Sequence, residues 1–237
     1  MRMGADRPKQ FLEIRGIPLL IYTLLPFLHA DRICAVTVVT HQDWKVYTEK
    51  LVQRYLPEAG IRIICGGGSR HDSLMAAVCD FEEAGLTEED PVLVTHDAAR
   101  PGVTEKILEE NIDAAIRYGA CATMVPAVDT IAVSADGLVI DEIPKRETMY
   151  QMQTPQTFRY SVLKGCVNRL REEQKASLTD AAGILLMQRV PVHIVQGSRE
   201  NLKVTYPQDL QTVEIAVANR YDFGYNMKNF EGGCLHE

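Results

Sequence analysis

From Ile33 to Pro126 the chain switches repeatedly between two periodicities, and this alternation limits the possible folds more than any other feature. Ile33–Thr40 (I-C-A-V-T-V-V-T) is short, apolar and β-branched, the composition of a buried strand. Asp43–Tyr55 follows with helical spacing that puts Trp44, Tyr47, Leu51 and Tyr55 on one side. Ile61–Cys65 reads as the next strand and runs into Gly66-Gly67-Gly68. A helix starting near Ser69–Asp72 then carries Leu74, Ala77, Val78 and Phe81. Pro91–Thr95 reads as a strand, Thr104–Tyr118 as a helix and Ala120–Pro126 as a strand again. Such a succession predicts an α/β chain with a mostly parallel sheet and right-handed helical crossovers. Helices on both faces explain why the strands are continuous apolar runs.

After Pro126 the rhythm breaks. Thr130–Val133 and Leu138–Ile143 flank an Asp136-Gly137 dipeptide, which predicts a β-hairpin. A two-stranded ribbon is marginal alone, so the arm (about 129–146) is expected to pack on a second subunit. Helices are expected at Tyr160–Glu173, Thr179–Gln188 and from Pro207, with strands at Val190–Gln196 and Leu202–Thr205. Residues 1–220 then make one domain, and 221–237 a loose tail.

The chain has 46% hydrophobic residues, enough for a sizeable core, and a formal charge of −7, which argues against non-specific nucleic-acid binding. Local clusters of Arg and Lys still permit an anionic substrate. The six cysteines form no CxxC pair, as expected of free thiols in a reducing compartment. The longest apolar run, Ile17–Leu28, is broken by Pro18 and Pro26 and is too short to span a membrane. Met1-Arg2-Met3-Gly4 lacks the apolar core of a signal peptide. A cytoplasmic protein with no membrane contact is expected.

Four clusters could carry chemistry. Arg2-Met3-Gly4 with Pro8-Lys9-Gln10 is basic and turn-forming, but alone it also describes a solvated chain start. Gly66-Gly67-Gly68-Ser69-Arg70-His71-Asp72-Ser73 lies between a strand and a helix, where glycines allow close backbone approach and the helix start suits an anion or base. Three glycines can equally make a plain βα turn. Val94-Thr95-His96-Asp97-Ala98-Ala99-Arg100-Pro101 delivers a carboxylate and a guanidinium to a strand end, as nucleotide–metal sites in open α/β sheets do. A surface ion pair there is the simpler alternative. The last cluster comprises Thr130, Arg146, the turn Gln153–Gln156, Thr179-Asp180 and Asn201-Leu202-Lys203. Here Thr179-Asp180 could be an ordinary helix cap and Arg146 a surface cation. His96 is read as held by structural hydrogen bonds, not as a base or ligand. No HExxH, Cys/His set or G-x-S-x-G elbow is present, which speaks against zinc and against a hydrolase.

Taken in order, R-M-G…P-K-Q, G-G-G-S-R-x-D-S, H-D-A-A-R-P, V-D-T-I, Q-T-P-Q-T-F, L-T-D-A and N-L-K-V-T…D-L resemble the cytidylyltransferases that make CDP-alcohols from sugar-alcohol phosphates. The resemblance runs from Arg2 to about Ile215. It implies a Rossmann-like (GT-A-like) nucleotidyltransferase sheet flanked by helices, with an extruded hairpin arm. Two branches are similar: the ribitol-5-phosphate enzymes of teichoic-acid synthesis and the methylerythritol-4-phosphate enzymes of isoprenoid synthesis. His41-x-Asp43-Trp44, Val128–Ile131, Ile143-Pro144-x-Arg146 and Tyr150–Gln156 favour the ribitol branch, whereas H-D-A-A-R-P is the methylerythritol form. The family opens with an apolar strand and a glycine-rich loop ending in R-M-G. Met1 falls inside that loop, so the central first strand and most of the loop are expected to be missing. That departure implies either a false internal start or a catalytically impaired relative acting only as a binding partner.

The resemblance implies transfer of CMP from CTP to a polyol phosphate, with release of pyrophosphate. Arg2, Lys9 and Lys203 are the implied catalytic cations. Asp97 would hold Mg²⁺; Gly67, Ser73, Ala99 and Arg100 would read the nucleotide; Thr130 and Arg146 would hold the substrate phosphate across a homodimer. A glycosyltransferase of similar topology is a further alternative, weakened by the lack of a D-x-D pair at Asp97.

Overall fold

The longest apolar run becomes helix α1 (Leu19–His29) in the computed structural model, which describes residues 7–171, 174, 180–218 and 220–221. It is entered through a two-residue hairpin, β1 (Glu13–Ile14) and β2 (Ile17–Pro18). The connecting residues Arg15 and Gly16 have φ of 51° and 78°, as a type I′ turn requires.

The βα units expected from the alternation form next. β3 (Thr37–Thr40) pairs in parallel with β4 (Arg62–Cys65), and α2 (Lys45–Tyr55) is the crossover. α3 (Arg70–Glu83) starts at a capping box in which Ser69 Oγ accepts from Asp72 N–H and the Asp72 carboxylate accepts from Ser69 N–H. β5 (Val92–Thr95), α4 (Glu105–Tyr118) and β6 (Ala120–Pro126) follow, α4 being capped by Thr104 and stopped by Gly119 at φ 86°. The remaining elements are β7 (Tyr150–Arg159), α5 (Tyr160–Val167), α6 (Ala181–Met187), β8 (His193–Gln196) and α7 (Pro207–Ala218).

The main sheet has the order β5–β7–β6–β8, and it is mixed where a mostly parallel one was expected. β7 runs antiparallel to both β5 and β6, and β8 parallel to β6. The reason lies in the connection: no crossover helix separates β6 from β7, so the chain returns antiparallel. β7 replaces the turn expected at Gln153–Gln156. Its Pro155 sits where the pairing with β6 shifts register, between the Gln156 and Met152 partners, so its missing N–H removes no regular ladder bond.

β3 and β4 form a separate sheet. Among the described residues no strand lies between β3 and β5. Instead a cavity of about 400 Å³ separates them, lined by Val38 and Val94 from the two strands, Leu24 from α1 and Leu74 from α3.

Three further expectations change. The arm holds a single bridge, Val133 to Glu142, in place of a hairpin ladder. The Asp136 carboxylate accepts from Leu138 and Val139 N–H, and those donors are thereby diverted from pairing. Leu202–Thr205 forms no strand, because Thr205 and Tyr206 N–H both donate to Asp209 at the entrance to α7. The helix expected over Tyr160–Glu173 ends at Val167. Thr179 and the tail beyond Tyr221 lie outside the described residues.

Candidate active site

β5 ends at Thr95 and the chain turns at once, with Arg100 N–H donating to the Asp97 carbonyl at 3.0 Å. The turn presents the Asp97 carboxylate to three cations drawn from distant parts of the chain. Arg70 Nη2, in the first turn of α3, lies 3.0 Å from Oδ1. Arg100 Nε lies 3.1 Å and Lys203 Nζ 3.0 Å from Oδ2. A fourth cation, Lys9, belongs to the same electrostatic group and interacts with Lys203, Asp97 and Arg100. It opens the 3-10 turn Lys9–Phe11, whose Phe11 ring packs 5.2 Å from Trp44 and 5.0 Å from Tyr47.

Four cations around one carboxylate, in a chain whose net charge is −7, make a local positive centre suited to a polyanion. Burial alone would raise the Asp97 pKa, but Lys203, Arg70 and Arg100 together hold it well below the usual carboxylate range. Burial, then the neighbouring Lys203, depress the Lys9 ammonium. Lys9 therefore has an electrostatic reason to take up an anion.

The turn is also tied down from behind. His96 Nε2 lies 3.0 Å from the Arg100 carbonyl and Nδ1 3.0 Å from Thr154 Oγ1. Burial pushes this imidazole down to about 4, so it is neutral at physiological pH, held by hydrogen bonds as the sequence suggests. Thr154 Oγ1 also accepts from Asp97 N–H at 3.1 Å. Arg100 Nη1 donates to the carbonyl of the buried Asn201, whose amide donates to the Thr154 carbonyl at 2.7 Å.

Lys9, Asp97, Arg100 and Lys203 are thus brought together, and Ala99 is buried beside them with its carbonyl accepting from Val204 N–H. Gly67 sits in the strand-to-helix turn expected of it, and its need for glycine is internal: a Cβ there would come within 2.3 Å of Asp72 Cβ. Ser73 Oγ donates to the Ser69 carbonyl and lines the cavity. Thr130 and Arg146 are exposed on the arm, and among the described residues neither makes a hydrogen bond or ion pair with the Asp97 group. Arg2 lies outside the described residues. Arg70 carried no assigned role in the sequence reading. Its signal lies in its place: the first turn of a helix after a strand sits at that strand's C-terminal end, and β5 delivers Asp97 at its own C-terminal end.

Among the described residues no group of three His, Cys, Asp or Glu side chains could hold a metal by itself. A lone carboxylate fits Mg²⁺ only in the manner usual for nucleotide sites, with phosphate oxygens and water completing the shell.

Residues 1–219 match the family described as IspD, 2-C-methyl-D-erythritol 4-phosphate cytidylyltransferase. A ribitol-5-phosphate cytidylyltransferase of Lactiplantibacillus plantarum is 39% identical over 92% of this chain and 94% of its own length. A crystal structure of a 4-diphosphocytidyl-2C-methyl-D-erythritol synthase superposes with a TM-score of 0.76 at 27% identity, covering 88% of this chain and 93% of that one. The 2-C-methyl-D-erythritol 4-phosphate cytidylyltransferase of Thermus thermophilus gives 0.71 at 28% identity, over 92% of this chain and 96% of that one. With its mixed α/β sheet and the ordered motifs around Asp97, the chain belongs to the IspD family of cytidylyltransferases.

Proposed function

We propose that the chain transfers CMP from CTP to D-ribitol 5-phosphate, releasing pyrophosphate and forming CDP-ribitol. The observation that carries the reaction type is the meeting of Lys9, Arg70, Arg100 and Lys203 around Asp97. Identity of 39% to a ribitol-5-phosphate enzyme supports the choice of polyol. The nucleophile is a phosphate monoester with a second pKa near about 6, so it is already anionic at neutral pH and needs no general base. A site with cations, one carboxylate and a neutral His96 whose two ring nitrogens are both engaged in hydrogen bonds agrees with that chemistry.

The barrier is the approach of two polyanions. Lys9 neutralises the triphosphate and the departing pyrophosphate, with Arg2 as its partner in that role. Lys203 faces the α-phosphate and the incoming phosphate. Both act through charge and in-line positioning. Asp97 would hold Mg²⁺ together with triphosphate oxygens, and the ion would supply further neutralisation there. Gly67, Ser73 and the Ala99–Arg100 backbone read cytosine and ribose. Thr130 and Arg146 grip the substrate phosphate from the arm of a partner subunit.

Exposed apolar side chains on the arm support a homodimer: Leu138 is 89% exposed, and Val139, Ile140 and Ile143 are also open. Among the described residues no helix is long and apolar enough to cross a membrane. We place the protein in the cytoplasm, where CTP is available.

The second reading, 2-C-methyl-D-erythritol 4-phosphate as acceptor, is favoured by the family match and by the solved structures. Pyrophosphate release with CTP and each acceptor in turn distinguishes them. A kcat/KM at least roughly tenfold higher for D-ribitol 5-phosphate is expected, equivalent to about 1.4 kcal/mol; the reverse preference assigns the chain to the second reading.

A further inference from the structure

We infer that His96 and Thr154 are positioning residues, joined in one directional hydrogen-bond chain that fixes the shape of the Asp97–Arg100 turn. The assignment follows from which atoms can donate. The Arg100 carbonyl only accepts, so His96 Nε2, 3.0 Å away, must carry the proton. The opposite neutral tautomer would set two lone pairs against each other at that distance. In a ring carrying that one proton Nδ1 is the acceptor, and Thr154 Oγ1, 3.0 Å away, supplies the proton. With its proton given to His96, Oγ1 has lone pairs free to accept from Asp97 N–H at 3.1 Å. The sequence is therefore Asp97 N–H to Thr154 Oγ1–H to His96 Nδ1, and Nε2–H to Arg100 O. It closes on the same four-residue turn from both ends.

Thr154 does more than complete that ring. Its carbonyl accepts from Asn201 Nδ2 at 2.7 Å, and the Asn201 carbonyl accepts from Arg100 Nη1 at 3.0 Å. Asn201 begins the loop that carries Lys203 to Asp97. One residue of β7 thus holds both the Asp97 backbone N–H and the Asn201 amide at the start of the Lys203 loop. His96 additionally packs 5.3 Å from the Phe27 ring, on the side of the cavity. Neither His96 nor Thr154 bonds to an atom that the proposed reaction alters; both act through Asp97, Arg100 and Lys203.

This inference rests on the reading of the Asp97 turn as a cytidylyl-transfer centre, but one arm of its test does not. Nitrogen NMR of the free protein at neutral pH reports the tautomer of His96 without any turnover. The Nε2-protonated neutral form is expected, and an Nδ1-protonated ring overturns the chain of bonds. In the second arm, Thr154→Val keeps the volume and removes the hydroxyl, whereas Thr154→Ser keeps the hydroxyl. Supporting partners of metal ligands typically change activity by about 10- to 100-fold. The expected loss in kcat for Thr154→Val is of that size, with KM for the polyol phosphate unchanged and Thr154→Ser within about threefold of the parent. Equal activity of the Val variant and the parent overturns the positioning role. So does a Ser variant as impaired as the Val variant, because packing of the methyl group then explains the loss. If the parent chain itself fails to turn over CTP, the reaction assignment falls, while the tautomer still decides the hydrogen-bond chain.

Discussion

Removal of Lys203 tests the site at the level of one side chain. Its ammonium lies 3.0 Å from Asp97 and is one-third exposed, so it contributes little to folding and much to the local charge. Lys203→Ala is expected to lower kcat by about 10²–10³-fold, the size seen when one preorganised stabilising group is lost, with the melting temperature within a few degrees of the parent. Lys9→Ala should behave similarly, and near-parental turnover in either variant removes that residue from the mechanism. Asp97 predicts an acid limb to stability. Its carboxyl is depressed in the folded protein, so its contribution is complete above the unfolded value near about 4 and is lost as pH falls below that. Urea unfolding between about pH 5 and pH 2 should show a shallower loss in Asp97→Asn than in the parent. The same slope in both would mean that the surrounding cations do not stabilise the carboxylate. Asp97, Arg100 and Lys203 were legible in the sequence because each sits in a short ordered motif. The partners of Arg70 and Thr154 were not, since those contacts join positions 27 and 57 residues apart.

Gly102 shows how two loops form the site together. A Cβ on it would lie 1.9 Å from the Glu200 carbonyl oxygen and 3.1 Å from Asn201 Cα. The Asp97 turn and the Lys203 loop therefore touch backbone to backbone, with no room for a methyl group. Gly102→Ala is expected to cost about 1–3 kcal/mol, as overpacking does, and to lower turnover by displacing the Lys203 loop. Thermal unfolding and CTP turnover measure the two effects, and an unchanged pair would show that the loops separate freely. Elements whose signals are local were readable: α3 from its Ser69–Asp72 capping box, and α4 from Thr104 and Gly119. β7 was misread as a turn because Pro155 argues against a central strand, and only the register shift against β6 makes it acceptable. The arm was overread for the opposite reason. Its alternation is correct for a ribbon, but Asp136 takes the amides that pairing would use.

The whole molecule is divided by its cavity. Among the described strands β3 pairs only with β4, and β5 only with β7, so each presents a bare edge to the space of about 400 Å³ between them. Fold class and the order of βα units follow from the alternation of periods along the chain. The division of the sheet does not, because pairing partners are set by three-dimensional neighbours. Hydrogen exchange should find the amides of Thr37–Thr40 and Val92–Thr95 that face the cavity much faster than the paired amides of β6 and β7. Uniform protection of all four strands would mean that the two edges close on each other. The most direct measurement of the central claim is phosphorus NMR of the protein with CTP, Mg²⁺ and D-ribitol 5-phosphate. Paired growth of free pyrophosphate and a new diphosphate diester, as the acceptor phosphate signal falls, is the result expected. CTP left intact, or cleaved to CMP without consumption of the acceptor, would contradict it.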